Sequence, residues 1–321
     1  MLVDCLFILI GLVVLLVGGD LLVRGTIGLA SAFRIPALII SLTVVAFGTS
    51  APELFVSIQA VLSGNEGISI GNIIGSNIAN ILLVLGVPAL IYPISTHVIG
   101  LRRHAIVMLA ATAAFASAAW LVGAINPAIG AGLLLGVLLY VAYLWYRALR
   151  TPMADPVLED VEELSPEEQF LPKTAGFILA GLVGMPLGAH LLVSNGAEIA
   201  TALGVREELV GLTIIALGTS LPELATVASA ALRKQSDVAI GGIVGSNIFN
   251  IFAVAGAAGL VGGAGFDPES LRLDLPVMIL AAGLLSAYIF TRKKIGRLSG
   301  ALLTTIYVVF IYLLATKEGL V

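Results

Sequence analysis

The chain has 321 residues, of which 59% are hydrophobic and 11% are charged, and its mean hydropathy is +1.09. Charged residues make up about a quarter of a soluble domain, so this composition excludes an ordinary water-soluble domain or a large soluble enzyme and indicates a membrane protein. The net charge of −4 offers no basic surface for nucleic acid, and the one cysteine, Cys5, cannot form an internal disulfide.

Apolar runs separated by short breaks predict an all-α membrane protein with ten transmembrane helices, because about 20 apolar residues cross a bilayer. The first run starts at Leu2 with no basic region before it and no small-residue cleavage site after it, so we interpret it as a retained span and not a signal peptide. The predicted spans cover residues 2–31, 38–62, 68–92, 101–122, 126–149, 174–201, 208–232, 238–262, 271–290 and 298–316.

A polar stretch over residues 150–173 interrupts this series after the fifth span. It contains seven carboxylates and four prolines, a composition typical of a solvated linker. We therefore expect two five-helix halves, residues 1–149 and 174–321, joined by an acidic cytoplasmic linker.

Basic residues predict the orientation in the membrane. If the loops after the odd-numbered spans face the cytoplasm, 13 of the 16 lysines and arginines lie on that side. These are Arg24, Arg34, Arg102, Arg103, Arg147, Arg150, Lys173, Arg233, Lys234, Arg292, Lys293, Lys294 and Arg297, against Arg206, Arg272 and Lys317 on the other side. The asymmetry predicts a cell (inner) membrane protein with both termini outside the cytoplasm.

Two segments of the chain repeat each other. Residues 41–86 align without a gap with residues 211–256, and 22 of the 46 positions are identical at an offset of 170. Because five helices separate the copies, we predict two inverted five-helix repeats. Many secondary transporters are built in this way, with the substrate site near the membrane midplane where the copies meet.

The first repeated motif reads GTSAPE from Gly48 and GTSLPE from Gly218, each in the middle of an apolar span. Its proline lacks a backbone donor and should break the helix, freeing carbonyl oxygens in the preceding turn. The next residue, Glu53 or Glu223, costs about 3 kcal/mol at a helix centre, and no buried lysine or arginine repeats beside it. Carbonyls, hydroxyls and two carboxylates together predict an oxygen-lined cation site.

The second repeated motif reads GNIIGSNIAN in the first copy and GGIVGSNIFN in the second. Ser76 and Asn80 lie four residues apart, as do Ser246 and Asn250, so each pair shares one helix face. Because these four polar residues repeat beside a buried carboxylate, we assign them to the same site.

Other polar residues have structural interpretations. Asn72, Asn77 and Asn247 are interpreted as packing positions that make hydrogen bonds between helices. His104 and Tyr140 lie near predicted span ends and are expected at the membrane interface.

The donor types favour a hard cation. Carboxylate, amide, hydroxyl and carbonyl oxygens suit Ca²⁺, Na⁺ or Mg²⁺, whereas soft metals prefer sulfur or imidazole, and neither motif contains Cys, His or Met. Ca²⁺ is favoured over Mg²⁺, which demands a tight octahedron. One Ca²⁺ or two monovalent ions neutralise two carboxylates, so a site that resists reorientation when empty would enforce exchange.

The paired GTSxPE and G(N/G)xxGSNxxN segments resemble the two α-repeats of the sodium/calcium exchanger family, within the cation/Ca²⁺ antiporter superfamily, over nearly the whole chain. The resemblance implies a secondary active antiporter that exchanges Ca²⁺ for Na⁺ by alternating access, with the first and sixth spans sliding across the other eight. It implies no enzyme activity, no cofactor and no obligatory protein partner; the partners are Ca²⁺, Na⁺ and membrane lipid.

The same resemblance implies roles for individual residues. Glu53 and Glu223 would coordinate Ca²⁺ centrally, together with Thr49 and Thr219. The residues implied for flanking Na⁺ sites are Ala46, Ser50, Ser76, Ala216, Ser220 and Ser246.

Asn250 departs from some prokaryotic members of the family, which carry an aspartate at this position. One carboxylate fewer leaves H⁺- or K⁺-coupled exchange open as an alternative, since a proton could replace Na⁺ on Glu53 or Glu223. A cation channel is less favoured, because channel filters generally form between subunits around a common axis. Asp20 and its repeat counterpart His190 have either an ion-path or gating role or an interfacial position.

Overall fold

The computed structural model describes residues 2–150, 171–203, 216–267 and 271–317, and these are almost entirely helical. In chain order the helices are α1 (Leu2–Phe33), α2 (Ala37–Thr49), α3 (Ala51–Leu62), α4 (Glu66–Ile91), α5 (Leu101–Leu121), α6 (Pro127–Arg150), α7 (Leu171–Ala202), α8 (Ala216–Gly218), α9 (Leu221–Leu232), α10 (Ser236–Val261), α11 (Asp274–Thr291) and α12 (Arg297–Lys317). Two short strands, β1 (Ala124–Ile125) and β2 (Ala264–Gly265), pair antiparallel.

Within the described residues, eight helices are long and apolar enough to cross a membrane, or nine if the bent pair of α2 and α3 forms one span. Their ends lie within three residues of nine of the predicted spans. The remaining predicted span, 208–232, is described only from residue 216, where α9 supplies 12 residues. Its first part lies outside the described residues, as does the predicted linker between residues 151 and 170.

Helix boundaries in the two repeated segments recur at the offset of 170. α3 and α9 begin and end at equivalent positions, and so do α4 and α10. An irregularity recurs as well, because α4 contains a π-helical turn over Asn80–Val84 and α10 contains one over Asn250–Ala255. The sequence repeat is therefore also a repeat of secondary structure.

The long helices α1 and α7 touch at their backbones in two places. A Cβ atom on Gly11 would lie 2.7 Å from the carbonyl oxygen of Gly188, and a Cβ atom on Gly181 would lie 2.8 Å from that of Gly18. These distances are too short for any side chain, so glycine is required at both crossings. At the offset of 170, Gly11 is equivalent to Gly181 and Gly18 to Gly188, so each contact is the counterpart of the other.

Two short pairings outside the long helices are also counterparts of each other. Ile125 pairs with Ala264 between β1 and β2, and Ile94 forms an antiparallel bridge with Ile295. At the offset of 170, Ile94 is equivalent to Ala264 and Ile125 to Ile295. Each pairing thus joins the first segment to the second in the same way.

The centre of the bundle is formed by α4 and α10. Their most apolar windows are 78% and 94% buried, compared with 33% for α1. The broken helices surround them, since α3 packs against both α4 and α10 and α9 does likewise. The repeated motifs therefore meet in the interior, while α1 and α7 present apolar side chains outward.

One expected interfacial pair is instead internal. His104 on α5 is 6% exposed and Tyr140 on α6 is 4% exposed. The Tyr140 hydroxyl lies 3.1 Å from His104 Nδ1, within hydrogen-bonding distance. The interface assignment for these two residues was wrong, because the pair satisfies its own polar atoms inside the helix bundle.

Candidate cation site

Each GTSxPE motif interrupts its helix at the serine. Ser50 has φ −84° and ψ 4°, Ser220 has φ −88° and ψ 0°, and α2 and α3 meet at a bend of 41°. The prolines fall in the first turn of the helices that follow, where an amide donor has no intrahelical acceptor to serve. The predicted break is confirmed, and it begins two residues before the proline.

This break places the two glutamates in the first turns of α3 and α9. Glu53 is 0% exposed and Glu223 is 2% exposed. Backbone N–H groups at a helix N-terminus carry partial positive charge, which favours an anionic side chain there. The fold therefore offsets part of the cost of burying each carboxylate while leaving its oxygens available for a cation.

The two motifs interleave, so that each carboxylate lies beside hydroxyls of the other motif. The Ser50 hydroxyl donates to Glu223 Oε1 at 3.5 Å, and Thr49 also lies beside Glu223. Glu53 lies beside Thr219, and the two carboxylates are close enough to repel each other. Neither copy of the motif is complete alone, and the repulsion would be relieved by a cation between the carboxylates.

The GSNxxN motifs contribute from the central helices. Ser246 Oγ on α10 lies 3.4 Å from Thr49 Oγ1. The π-helical turn that starts at Asn80 packs against α9, and the one that starts at Asn250 packs against α3. Both asparagines are 0% exposed. Each π-helical turn therefore lies next to the helix that carries the other segment's glutamate.

The π-helical turns were not anticipated from the sequence. A π turn inserts an extra residue into a helical ladder, and such turns occur frequently at functional sites. Two of them begin at the last residue of a GSNxxN motif, Asn80 or Asn250, and a third covers Ser41–Val45 in α2. No residue type marks a π turn, so only the repetition of the motif could have suggested an irregularity.

Many buried polar atoms in this region have no hydrogen-bond partner among the described residues. They are both carboxylate oxygens of Glu53, Oε2 of Glu223, the amide oxygen and nitrogen of Asn80 and Asn250, and the hydroxyls of Thr219 and Ser220. Leaving one buried polar group unpaired costs about 1–3 kcal/mol, so a cluster of this size indicates a ligand for those atoms. Most of them are oxygens, the donors that Na⁺ and Ca²⁺ accept.

The remaining predicted site residues lie at the edges of this cluster. Ser76 and Thr219 line a cavity of about 380 Å³. Ala46 is fully buried, and its carbonyl oxygen accepts the backbone N–H of Ser50 at 3.1 Å. Ala216 begins α8, and its side chain lies outside the described residues.

The other asparagines of the second motif differ among themselves. Asn72 Nδ2 donates from α4 to the Glu53 carbonyl oxygen at 3.1 Å and to Ser57 Oγ at 2.9 Å, both on α3. Asn77 and Asn247 instead donate to carbonyls of their own helices, four residues earlier. The expected bond between helices is therefore confirmed for Asn72, whereas the amide groups of Asn77 and Asn247 bond within a helix.

In the part of the chain that the structure describes, the carboxylates of Glu53 and Glu223 lie within the cluster, and that of Asp274 lines the adjoining cavity. Among the described residues, no three His, Cys, Asp or Glu side chains converge on a common point. Asn80 and Asn250 occupy positions where a further acid would raise the negative charge. The arrangement thus suits a weakly hydrated or flexibly coordinated cation bound by neutral oxygens around a charge of −2.

Comparison with known proteins gives matches over nearly the full length. The family described as "Sodium/calcium exchanger protein" matches residues 4–149 and 173–316. The putative antiporter CaxA of Alkalimonas amylolytica is 37% identical over 98% of this chain and 99% of its own. The inner membrane protein YrbG of Escherichia coli is 36% identical over 98% and 97%. The sodium/calcium exchanger MaX1 of Methanosarcina acetivorans is 32% identical over 97% and 98%.

Solved structures also match. The sodium-calcium exchanger NCX_Mj soaked with 2.5 mM Na⁺ and 0.1 mM Ca²⁺ superposes with a TM-score of 0.82 at 30% identity, covering 97% of this chain and 98% of that one. The same exchanger soaked with zero Na⁺ and Ca²⁺ gives a TM-score of 0.83 at 31% identity, covering 97% and 99%.

Proposed function

Because the chain belongs to the sodium/calcium exchanger protein family, we propose that it is a secondary active antiporter that exchanges Ca²⁺ for Na⁺ across the cell membrane. The family is one of cation/Ca²⁺ antiporters, and the chain spans nearly all of its relatives' length. The printed names of MaX1 and NCX_Mj support Na⁺ as the counter-ion. They describe those proteins, and the counter-ion of this chain is part of the proposal.

One observation carries the proposal: unpaired oxygens from both motifs surround two fully buried carboxylates in an apolar helix bundle. Among the described residues no buried lysine or arginine accompanies the two carboxylates, so they need neutralisation by a cation, because isolated charge in lipid is costly. Structural packing alone would be served better by apolar residues at these positions. A transported cation meets both requirements.

Ca²⁺ and Na⁺ would bind at different positions in the cluster, according to the charge that each position offers. Ca²⁺ would sit between Glu53 and Glu223, with Thr49 and Thr219 completing its shell, because only this position offers both negative charges. Na⁺ would bind at the flanking neutral oxygens contributed by Ala46, Ser50, Ser76, Ala216, Ser220 and Ser246. Both kinds of site would depend on the negative charge of the same two carboxylates, so Ca²⁺ and Na⁺ would compete for that charge, which is the requirement for exchange.

Alternating access would follow from an inverted arrangement of the two halves. The exchanged glycine contacts of α1 and α7 and the exchanged pairings at Ile94 and Ile125 support a two-fold relation between the segments. We infer ten spans, with α9 completing the seventh, and both termini outside the cytoplasm. In this scheme α1 and α7 slide across the other eight spans and expose the site to each side in turn.

The site is tested by removing one charge at a time. Glu53→Gln and Glu223→Gln should each reduce Ca²⁺ flux into proteoliposomes to background, because the amide keeps the shape of the side chain and removes half of the site's charge. Glu198→Gln, the same change at an exposed carboxylate on α7, is the matched control and should transport normally. Normal flux in either folded site variant would refute the assignment.

A further inference from the structure

A cluster of charged and polar side chains ties α1 to the end of α9. Both Nε and Nη2 of Arg233 contact Asp20 Oδ1, at 2.6 Å and 2.5 Å. Ser229 on α9 donates to the same oxygen at 3.3 Å, and Arg24 Nε donates to Asp20 Oδ2 at 2.9 Å. The carboxylate of one long helix is thus held by groups on a second helix that carries a site glutamate.

Directly beside this cluster, α1 packs closely against α9. A Cβ atom on Gly19 would lie 2.8 Å from the backbone of Ala225, two residues beyond Glu223. Ala225 and Thr226 are each 2% exposed. α1 therefore covers the face of α9 that leads from the Arg233 end of the bundle to the site.

The equivalent positions in the other half make no such connection. At the offset of 170, His190 stands for Asp20, Ser63 for Arg233 and Gln59 for Ser229. His190 Nδ1 lies 3.4 Å from Ser194 Oγ on its own helix, and Gln59 Nε2 donates to Ser63 Oγ at 3.2 Å, again within one helix. These contacts do not join α7 to α3.

The equivalent faces of α9 and α3 also differ in how much of their surface is buried. Phe55 on α3 is the equivalent of Ala225, and it is 73% exposed where Ala225 is 2% exposed. The face of α9 at the Arg233 end is therefore covered, and this is called the sealed side, whereas the equivalent face of α3 is exposed. The ion pair lies only on the sealed side.

We propose that Asp20 and Arg233 form a latch that holds α1 on α9 and keeps the Arg233 end of the transport path closed. The latch rests on the alternating access proposed above, since α1 must leave α9 for that end to open. Because the other half lacks a counterpart, the two open states differ in free energy, and the state closed at the Arg233 end is favoured. By the predicted topology this end faces the cytoplasm.

A thiol-labelling experiment measures opening at the Arg233 end independently of Ca²⁺ transport. In a Cys5→Ser background, Thr226→Cys places a thiol beside Met185 of α7 and next in sequence to Ala225, on which α1 packs. A membrane-impermeant maleimide is added from the Arg233 side. Asp20→Asn should raise the labelling rate about fivefold, because an ion pair whose side chains are 31% and 34% exposed contributes at most about 1 kcal/mol. His190→Asn, the matched change in the other half, should leave the rate unchanged.

Two further variants separate a latch from a general packing defect. Arg233→Gln should raise labelling as much as Asp20→Asn does, and the double variant should be no faster than either, since both remove one interaction. The latch variants should also weaken apparent Ca²⁺ affinity at the far side and strengthen it at the Arg233 side, so that the ratio of the two affinities shifts about fivefold towards the Arg233 side. Additive effects of the two substitutions, or weakening on both sides, would overturn the proposal.

Failure of the latch and failure of the antiporter can be told apart. Thiol labelling that does not change in any variant, with Na⁺-dependent Ca²⁺ flux intact, refutes the latch alone. Faster labelling in a protein that moves no Ca²⁺ under any gradient supports the latch and refutes the proposed function.

Discussion

The crossing of α1 and α7 predicts that a single methyl group forces these two helices apart and disturbs the unit that they form. In Gly188→Ala the new Cβ would lie 2.7 Å from the Gly11 carbonyl oxygen and 2.7 Å from the Leu15 nitrogen, whereas ordinary contacts begin at 3.4 Å. Both neighbours are backbone atoms of α1, so the helices must separate by roughly 0.7 Å, the difference between these distances. Overpacking of this kind costs about 1–3 kcal/mol, against which alanine returns about 1 kcal/mol of helix propensity.

Gly184→Ala on the same helix is the matched control. Its added Cβ would meet only Val14 Cγ1, at 3.9 Å, which is an ordinary contact. We expect this variant to keep its thermal stability and its transport rate, and Gly188→Ala to lose several degrees of thermal stability and most of its initial rate of Ca²⁺ flux. Melting followed by size-exclusion chromatography and flux in proteoliposomes measure the two quantities. If Gly188→Ala behaved like Gly184→Ala in both assays, the close crossing inferred from the structure would be refuted.

Two other substitutions test separate parts of the structure. Pro52→Ala should restore a backbone donor at the break and favour a continuous helix. This change should weaken Ca²⁺ binding by about tenfold without unfolding the protein. Unchanged Ca²⁺ binding in isothermal titration would contradict this role of the break. Tyr140→Phe should remove the buried hydrogen bond to His104 and lower the free energy of unfolding by about 1–2 kcal/mol, while Ca²⁺ flux stays normal. An unchanged melting temperature would show that this bond does not stabilise the protein.

Much of the helical architecture was predictable because lipid imposes a strict length on apolar segments. The boundaries of α3 followed from Pro52, and the burial of Glu53 and Glu223 followed from their place inside apolar runs. The proposed pairing of the two motifs followed from the repeat. These inferences depend on local sequence or on similarity between two segments, which are both visible in one chain.

Other features depend on contacts between distant residues, and the sequence contains no local signal for them. Ser50 reaches Glu223 across 173 residues and Arg233 reaches Asp20 across 213. The sequence left two alternative roles for Asp20, and its partner could not be chosen from the basic residues of the loops. The asymmetry between the sealed and exposed ends was also hidden, because nearly equal sequences give unequal packing only in a particular conformation. Phe55 shows this, since it is 73% exposed although its repeat counterpart Ala225 is 2% exposed.

The most direct test of Na⁺-coupled Ca²⁺ exchange is Ca²⁺ flux in proteoliposomes with Na⁺, K⁺ or H⁺ gradients imposed one at a time. The proposed mechanism predicts that an outward Na⁺ gradient drives Ca²⁺ uptake, that K⁺ and H⁺ gradients of equal size do not, and that Glu53→Gln abolishes the Na⁺-driven uptake. Equal Ca²⁺ uptake under a H⁺ gradient would show that protons can take the place of Na⁺ on the same carboxylates. Ca²⁺ flux independent of any counter-ion would contradict exchange itself.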